Sequence, residues 1–168
     1  LAGGRGALAL DTVRVGKSAA TTLAFAPVEI GTAQGIWARH GLEVTSIAFA
    51  GDARMQQGMV ANAIDLALGS GPGMGFLARG VPAKAVAAIA NEPLSMGLSV
   101  GRNSPLVRAA DLKGAKVGVS TQGSLTFWLT RELSRQMGWG ATGIGTVPLG
   151  SNQALVAALR TGQVQGIV

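Results

Sequence analysis

The 168-residue sequence contains no cysteine, no tyrosine and a single histidine, His40. Without cysteine the chain can form neither a disulfide framework nor a thiolate metal site. A single histidine likewise excludes the histidine-rich zinc centres found in many enzymes. We therefore predict no metal ion and no cofactor.

Charged residues and long apolar runs are also scarce. Only 13% of the residues are charged, and no apolar run approaches the roughly 20 residues that span a bilayer. The formal net charge is +6, but the 14 lysines and arginines are scattered singly. With three Trp, four Phe and no Tyr, the chain offers few platforms for stacking bases. We therefore predict no nucleic-acid partner.

The short motifs of several enzyme classes are missing as well. The sequence has no G-x-S-x-G elbow, no G-x-x-x-x-G-K-[ST] phosphate loop and no pair of acids suited to glycosidase chemistry. His40 falls at the end of a predicted helix, where an imidazole beside the last carbonyl groups is usually structural. We predict no catalytic residue and no enzymatic activity.

Short apolar runs that alternate with longer amphipathic stretches are the main positive signal. This pattern predicts an α/β fold with mostly parallel strands. Pro27 suits a helix's first turn and Gly41 its stop. A segment at 102–115 breaks the rhythm and is predicted to be a crossover. The predicted strands are 12–18, 42–50, 64–69, 83–90 and 95–101, and the predicted helices are 27–40, 51–63 and 73–79.

The second half of the chain repeats the first. The run Val117-Gly118-Val119-Ser120 echoes Val15-Gly16-Lys17-Ser18, and "SNQALVAALRTGQVQGIV" echoes "GDARMQQGMVANAIDLAL", at an offset of about 100 residues. Each copy runs strand, helix, strand, helix, strand, which predicts two similar lobes with a ligand between them. The first copy continues for two more predicted strands, so the second lobe is expected to be incomplete.

Four segments carry a resemblance to a known family: "DLKGAKVGVSTQGS", "AFAPVEIGTAQGIWARHGLEV", "MVANAIDLALGSG" and "ALVAALRTGQVQGIV". Together they resemble the periplasmic solute-binding proteins of ABC importers, of the nitrate, sulfonate and taurine type that includes thiamine-precursor-binding proteins. The resemblance spans about residues 12–168 and implies a two-lobed type 2 periplasmic-binding architecture. One departure is Gln165, where the family usually has Asp, as at Asp65.

The resemblance also implies an organisation and a function. Residues 1–11 would be a leader or signal-peptide remnant, since Ala7-Leu8-Ala9 resembles a cleavage site. Residues 12–101 would form the first α/β lobe, and 102–168 the crossover and a partial second lobe. The protein would be periplasmic, capture a small anionic organic solute (a sulfonate, nitrate, taurine or similar), and deliver it to an ABC permease in the membrane. Closure about a hinge near 101–105 would trap the ligand.

Small and hydroxylated residues at the ends of the predicted strands are the candidate site. Helix N-termini expose unpaired N–H groups and suit anions; by resemblance, Gln122, Gly123 and Ser124 hold the ligand's acidic head. Simple helix capping is the alternative here, and capping is favoured for Asp52. Phe25 fits either the core or the ligand. The predicted ligand-binding residues are Ser18, Ala19, Ala20, Thr21, Gly51, Asp52, Ser70, Gly71, Asn91, Gln122, Gly123, Ser124, Ser151 and Asn152.

Two other functions remain open at this stage. The glycine-rich stretch "LGSGPGMG" raises a dinucleotide-binding oxidoreductase, but the G-x-G-x-x-A match at 73–78 begins four positions beyond the apparent strand end at Gly69. The second alternative is an enzyme of the same fold related to thiamine-pyrimidine synthesis. By resemblance, that chemistry uses His and a Cys-rich segment, which one histidine and no cysteine argue against.

Overall fold

The structure is a computed structural model that describes residues 9–89 and 96–168. Within these ranges the chain forms two separate β-sheets flanked by helices. We call β1 to β3 with their helices the first lobe, and β4 to β7 with theirs the second lobe. The predictions for residues 1–8 and for Asn91 lie outside the described residues. None of the described helices combines the length and the apolarity needed to cross a membrane.

The first lobe is built on three parallel strands in the order β2-β1-β3. Helices lie between successive strands, as the sequence predicts for a parallel sheet. The strands are β1 (Asp11–Lys17), β2 (Leu42–Ala48) and β3 (Leu66–Leu68), and the helices are α1 (Ala26–Ala33), α2 (Ile36–Arg39), α3 (Asp52–Val60) and α4 (Gly71–Leu77).

The second lobe has four strands in the order β4-β7-β5-β6. Three of them are parallel, and the short β4 pairs antiparallel with β7. The lobe boundary at residue 101 stays a prediction, although β4 joins the second sheet. The strands are β4 (Ser99–Val100), β5 (Lys116–Val119), β6 (Gly145–Pro148) and β7 (Gly166–Ile167), and the helices are α5 (Leu125–Gln136) and α6 (Asn152–Arg160).

The two sheets have the same register, which confirms the internal repeat. Val15 pairs with Ser46 and Leu66 in the first lobe. In the second lobe Val117 pairs with Thr146 and Gly166. Helices α3 and α6 also match, since each has 9 residues.

The cores are repeated too. Met55 and Ile64 are 0% and 2% exposed in the first lobe, and their counterparts Leu155 and Val164 are 4% and 1% exposed. Burying an aliphatic side chain of this size stabilises a fold by about 1.5–3 kcal/mol. The repeat therefore preserves the residues that hold each helix on its sheet.

Three predicted elements differ from the structure: one is absent, one is shorter and one is shifted by two residues. The strand predicted at 83–90 is absent from residues 83–89, which are mostly exposed, with Val86 at 82%. An apolar run becomes a strand only when it pairs with another strand, and within the described residues no strand pairs with 83–89. In the strand predicted at 95–101, only Ser99–Val100 is paired. The helix predicted at 73–79 spans Gly71–Leu77, with Pro72 in its first turn.

The helix predicted at 27–40 is broken in two. Gly35 has φ +62°, a left-handed conformation that separates α1 from α2. A residue without Cβ adopts this conformation at little cost. The corresponding helix of the second lobe, α5, runs unbroken for 12 residues.

Candidate functional site

The candidate site lies where loops from both lobes leave the carboxyl ends of parallel strands. In α/β proteins, ligands are usually bound at this edge. Every predicted residue within the described ranges is in such a loop or in the first helical turn after it. Ser18, Ala19, Ala20 and Thr21 follow β1, Gly51 and Asp52 follow β2, Ser70 and Gly71 follow β3, Gln122, Gly123 and Ser124 follow β5, and Ser151 and Asn152 follow β6.

Asp52 is the one charged residue of this group, and it is 3% exposed. Its carboxylate accepts hydrogen bonds from Ser70 N at 3.0 Å and from Ser70 Oγ at 2.8 Å. The capping role favoured by the sequence is wrong. Gly51 is the N-cap of α3, and no side chain caps this end of the helix. Asp52 instead joins the loops after β2 and β3. We call the region where these loops face the loops of the second lobe the junction, and Asp52 lies on its inner side.

The same carboxylate also reaches the second lobe. Asp52 Oδ2 accepts a hydrogen bond of 3.4 Å from the main-chain N–H of Leu125, the first residue of α5. The N-terminal end of a helix carries a partial positive charge, which favours an anion there. One acidic side chain of the first lobe thus lies at the helix end where the resemblance predicts the ligand's acidic head.

Ser124 caps α5, as the capping alternative predicts. Its side-chain oxygen accepts a hydrogen bond from Phe127 N at 3.3 Å, and the residue is 1% exposed. Next to it, Gly123 has φ +81°, and a Cβ there would lie 3.6 Å from the Cβ of Ala53. Gln122 is exposed. The turn therefore packs on the first lobe through Gly123 and leaves Gln122 accessible.

Gly51 packs directly against the second lobe. It has φ +95°, and a Cβ at this position would collide with Thr121 Oγ1 of the second lobe. This hydroxyl is buried and has no hydrogen-bond partner among the described residues. A buried polar group without a partner carries a desolvation cost, and a ligand group could supply the missing bond.

A second contact between the lobes mirrors the first. Asn152 Nδ2, at the start of α6, donates a hydrogen bond of 3.3 Å to Thr21 Oγ1 in the loop after β1. In each contact, the helix after the second strand of one repeat meets the segment after the first strand of the other. The lobes therefore face each other with approximate twofold symmetry, although Asn152 and Thr21 are exposed.

Sequence reasoning missed an ion pair beside the site, in which Lys17 is buried and Glu29 is exposed. Lys17, the last residue of β1, is 7% exposed and pairs with Glu29 of α1. Glu29 Oε1 also accepts a hydrogen bond from Ser46 Oγ at 3.1 Å. The hydrogen bond from Lys17 lowers the pKa of Glu29. A lysine among the apolar residues of a predicted strand was the available signal. Its ammonium fixes α1 on the sheet and is already engaged by a carboxylate.

The remaining candidates have structural positions. Phe25 is 7% exposed and belongs to the core. His40 follows the last residue of α2 as its C-cap. Among the residues that the structure describes, no three His, Cys, Asp or Glu side chains cluster in a way that could hold a metal ion. The polar groups of the junction are hydroxyls, amides and one buried carboxylate.

Comparison with protein families gives a match over nearly the whole chain. The model of the family described as "NMT1/THI5 like" matches residues 22–168. The chain belongs to this family. Among curated protein sequences, none matches it significantly.

Solved structures share the fold at low sequence identity. The alkanesulfonate-binding protein SsuA from Xanthomonas axonopodis pv. citri, bound to MOPS, matches with a TM-score of 0.76 and 21% identity, over 96% of this chain and 55% of that chain. The periplasmic nitrate-binding protein NrtA from Synechocystis PCC 6803 matches with a TM-score of 0.67 and 20% identity, over 94% of this chain and 46% of that chain.

A third match has the same character. The periplasmic aliphatic sulphonate binding protein SsuA from Escherichia coli matches with a TM-score of 0.58 and 22% identity, over 94% of this chain and 53% of that chain. The chain thus spans about half the length of these structures. The predicted family type and the type 2 periplasmic-binding architecture are confirmed.

Proposed function

We propose that the protein captures a small organic anion between its two lobes and delivers it to an ABC permease. The observation that carries the proposal is the junction itself. There, repeated loops from the carboxyl ends of parallel strands face each other, and the N-terminus of α5 opens between them. Membership of the NMT1/THI5-like family and similarity to sulfonate- and nitrate-binding proteins support the same function.

Recognition in this proposal rests on neutral donors. The predicted ligand-binding residues are small or polar, and Asp52 is the one charged member of the set. Main-chain N–H groups and hydroxyls at helix N-termini bind sulfonates and nitrate through hydrogen bonds and the helix dipole. Gln122, Gly123 and Ser124 would hold the acidic head, and the loop at 18–21 would close over it from the first lobe.

Transport, and not catalysis, is the activity that we propose. The structures compared above are named as binding proteins, which supports this choice. The protein would act in the periplasm, after removal of a leader that ends before β1. The ligand class we propose is a sulfonate, nitrate, taurine or a similar anion.

Calorimetric titration of the full-length gene product tests this function. We expect one site with a micromolar Kd for at least one of ethanesulfonate, taurine and nitrate. Gln122→Ala should weaken binding about tenfold, the effect of losing one hydrogen bond to a charged group. Gln136→Ala, at the other end of α5, is the matched control.

Two results would contradict the proposal. One is the absence of binding across all three anions. The other is tight binding of a nicotinamide dinucleotide, which would revive the oxidoreductase alternative. Turnover of a thiamine precursor would instead favour the enzyme of the same fold.

A further inference from the structure

The starting observation is the environment of the Asp52 carboxylate. It is buried, and no basic side chain pairs with it among the described residues. Its partners are the N–H and hydroxyl of Ser70 and the N–H of Leu125. A buried carboxylate is expensive unless charges or hydrogen bonds compensate it. Here the compensation comes from neutral donors, one of which belongs to the other lobe.

The position of this carboxylate matches that of a ligand's acidic group. Leu125 is the first residue of a 12-residue helix, so its N–H is one of the unpaired donors at the positive end of α5. A ligand anion held at this N-terminus and the Asp52 carboxylate would require the same donor. Two anions that share one N–H donor would also repel each other electrostatically.

A second observation points to the same place. Thr121 Oγ1 is buried beside Gly51 and has no partner within the described part of the chain. It belongs to the same turn between β5 and α5 that ends at Leu125, and it lies against Gly51, the residue before Asp52. When the lobes separate enough to admit a ligand, this hydroxyl becomes a free donor. The junction therefore contains an unused donor next to one that an internal carboxylate occupies.

We propose that Asp52 is a tethered competitor of the ligand, whose contact with Leu125 N closes the junction until an acidic ligand displaces it. The inference rests on the proposed function and specifies how the site selects its ligand. We call the contact between Asp52 Oδ2 and Leu125 N the Asp52 latch. Once displaced, the carboxylate keeps its two bonds to Ser70, so the first lobe stays intact while the helix end becomes available.

The latch makes Asp52 a specificity-determining residue. A neutral solute gains little from the positive end of α5 and does not replace the hydrogen bond that the carboxylate gives up. An anion gains both the N–H donor and the dipole. The latch therefore lowers the affinity for every ligand by a similar factor, which excludes neutral solutes because their contacts with the helix end are weak to begin with.

Calorimetry with Asp52→Asn tests the competition. The variant is isosteric and can still accept a hydrogen bond from Ser70, but it removes the charge. We expect it to bind ethanesulfonate about tenfold more tightly than the wild type, within the usual range of coupling energies. Ethanesulfonamide, a neutral analogue, should gain less, because the Asp52 charge does not repel it in the wild type. Glu43→Gln removes the same charge from the exposed start of β2 and serves as the matched control.

The opposite outcomes are clear. Unchanged or weaker ethanesulfonate binding by Asp52→Asn would overturn the proposal, and weaker binding would mean that Asp52 bonds to the ligand. A larger gain for the sulfonamide than for the sulfonate would also overturn it, because removal of the charge should favour the anion most.

A second variant removes the other half of the latch. Leu125→Pro deletes the N–H, and proline is tolerated at the first position of a helix. The preceding Ser124 has φ −79° and ψ 171°, which a following proline permits. This variant should separate the lobes as Asp52→Asn does, but it should not tighten ethanesulfonate binding, because the ligand loses the same donor.

Lobe separation can be measured without any ligand. Because this chain has no cysteine, spin labels can be placed at Thr45→Cys on β2 and Arg160→Cys at the end of α6. Both latch variants should shift the distance distribution to longer values, and Glu43→Gln should not. Unchanged distances in both latch variants would overturn the latch. This readout stays valid if no anion binds the wild type, a result that would reject the proposed function alone.

Discussion

The two lobes repeat the same strand order and register, and α3 and α6 have the same length, yet the first residues of these two helices differ in charge and burial. Asp52 is charged, 3% exposed and bonded to both lobes. Asn152 is neutral and exposed, and its described hydrogen bond is to Thr21. The backbone alone therefore does not determine how the junction closes. At this one repeated position, the first lobe has a buried charged side chain and the second lobe an exposed neutral one.

A second pair shows which part of a repeated contact is essential. Asp65 Oδ2 accepts a hydrogen bond from Arg14 N at 2.8 Å, and Gln165 Oε1 accepts one from Lys116 N at 2.6 Å. The replacement of Asp by Gln keeps the main-chain bond that fixes the start of the third strand. It loses the ion pair, which in the first lobe joins Asp65 to the Arg14 guanidinium. The second lobe therefore keeps the geometry of this contact without its charge.

The largest predicted difference concerns Gly51 and its counterpart Gly150. Both have a left-handed φ, +95° and +82°, but a Cβ at Gly51 would strike Thr121 Oγ1 while one at Gly150 would meet open space. Gly150→Ala should lower the free energy of unfolding by about 1 kcal/mol through backbone strain. Gly51→Ala should lower it by about 3 kcal/mol, because steric overlap adds to the strain.

Chemical denaturation of the two variants checks this difference, with the m-value as a test of two-state behaviour. Equal losses would mean that the lobes are not held together at Gly51. The same variants sharpen the comparison in a second way, since Gly51→Ala should also push the lobes apart and Gly150→Ala should not.

A smaller difference is expected between the two helix caps. Ser124 caps α5 while 1% exposed and also contacts Thr126 Oγ1 at 2.9 Å. Ser151 caps α6 from an exposed position by accepting a hydrogen bond from Ala154 N at 3.2 Å. Ser124→Ala should cost about 2 kcal/mol and Ser151→Ala about 1 kcal/mol in thermal or urea unfolding. A larger loss for Ser151→Ala would mean that burial of the capping side chain does not increase its contribution.

The repeated parts of the fold could be predicted from the sequence because local signals determine them. Val15-Gly16-Lys17 and Val117-Gly118-Val119 fix the first strand of each lobe, and the glycine after the second strand marks the turn into α3 or α6. The break at Gly35 has only a weak signal, since an isolated glycine is often tolerated within a helix. The strand predicted at 83–90 failed because its apolar composition says nothing about whether a neighbouring strand exists.

The chemistry of the junction is less accessible to sequence reasoning. The contact between Asp52 and Leu125 joins residues separated by 73 positions, and it depends on how two folded lobes meet. An aspartate directly after a glycine predicts a helix cap from local rules alone. The loops themselves could be placed, because strand ends are local features. The partner of each side chain could not.

The smallest predicted difference concerns acid stability and uses Asp65 and Gln165. The hydrogen bonds from Arg14 lower the pKa of Asp65 to about 2. A carboxyl whose pKa is lower in the folded than in the unfolded chain stabilises the fold above its unfolded pKa, about 3.9, and this contribution is lost as the pH falls towards 2. Gln165 does not titrate, so the corresponding contact of the second lobe keeps its strength over this range.

Removing the carboxylate at position 65 should therefore lower the acid sensitivity of the first lobe, and introducing one at position 165 should raise that of the second lobe. Between pH 5 and pH 2, the melting temperature of Asp65→Asn should fall less steeply than that of the wild type, and that of Gln165→Asp more steeply. Glu132, whose pKa Arg135 also lowers to about 2, remains in all three proteins and so cancels from the comparison. If the melting temperatures of the three proteins changed in parallel with pH, the Arg14 ion pair would contribute nothing to stability, as is true of many exposed ion pairs. The main-chain hydrogen bond alone would then account for the residue at both positions.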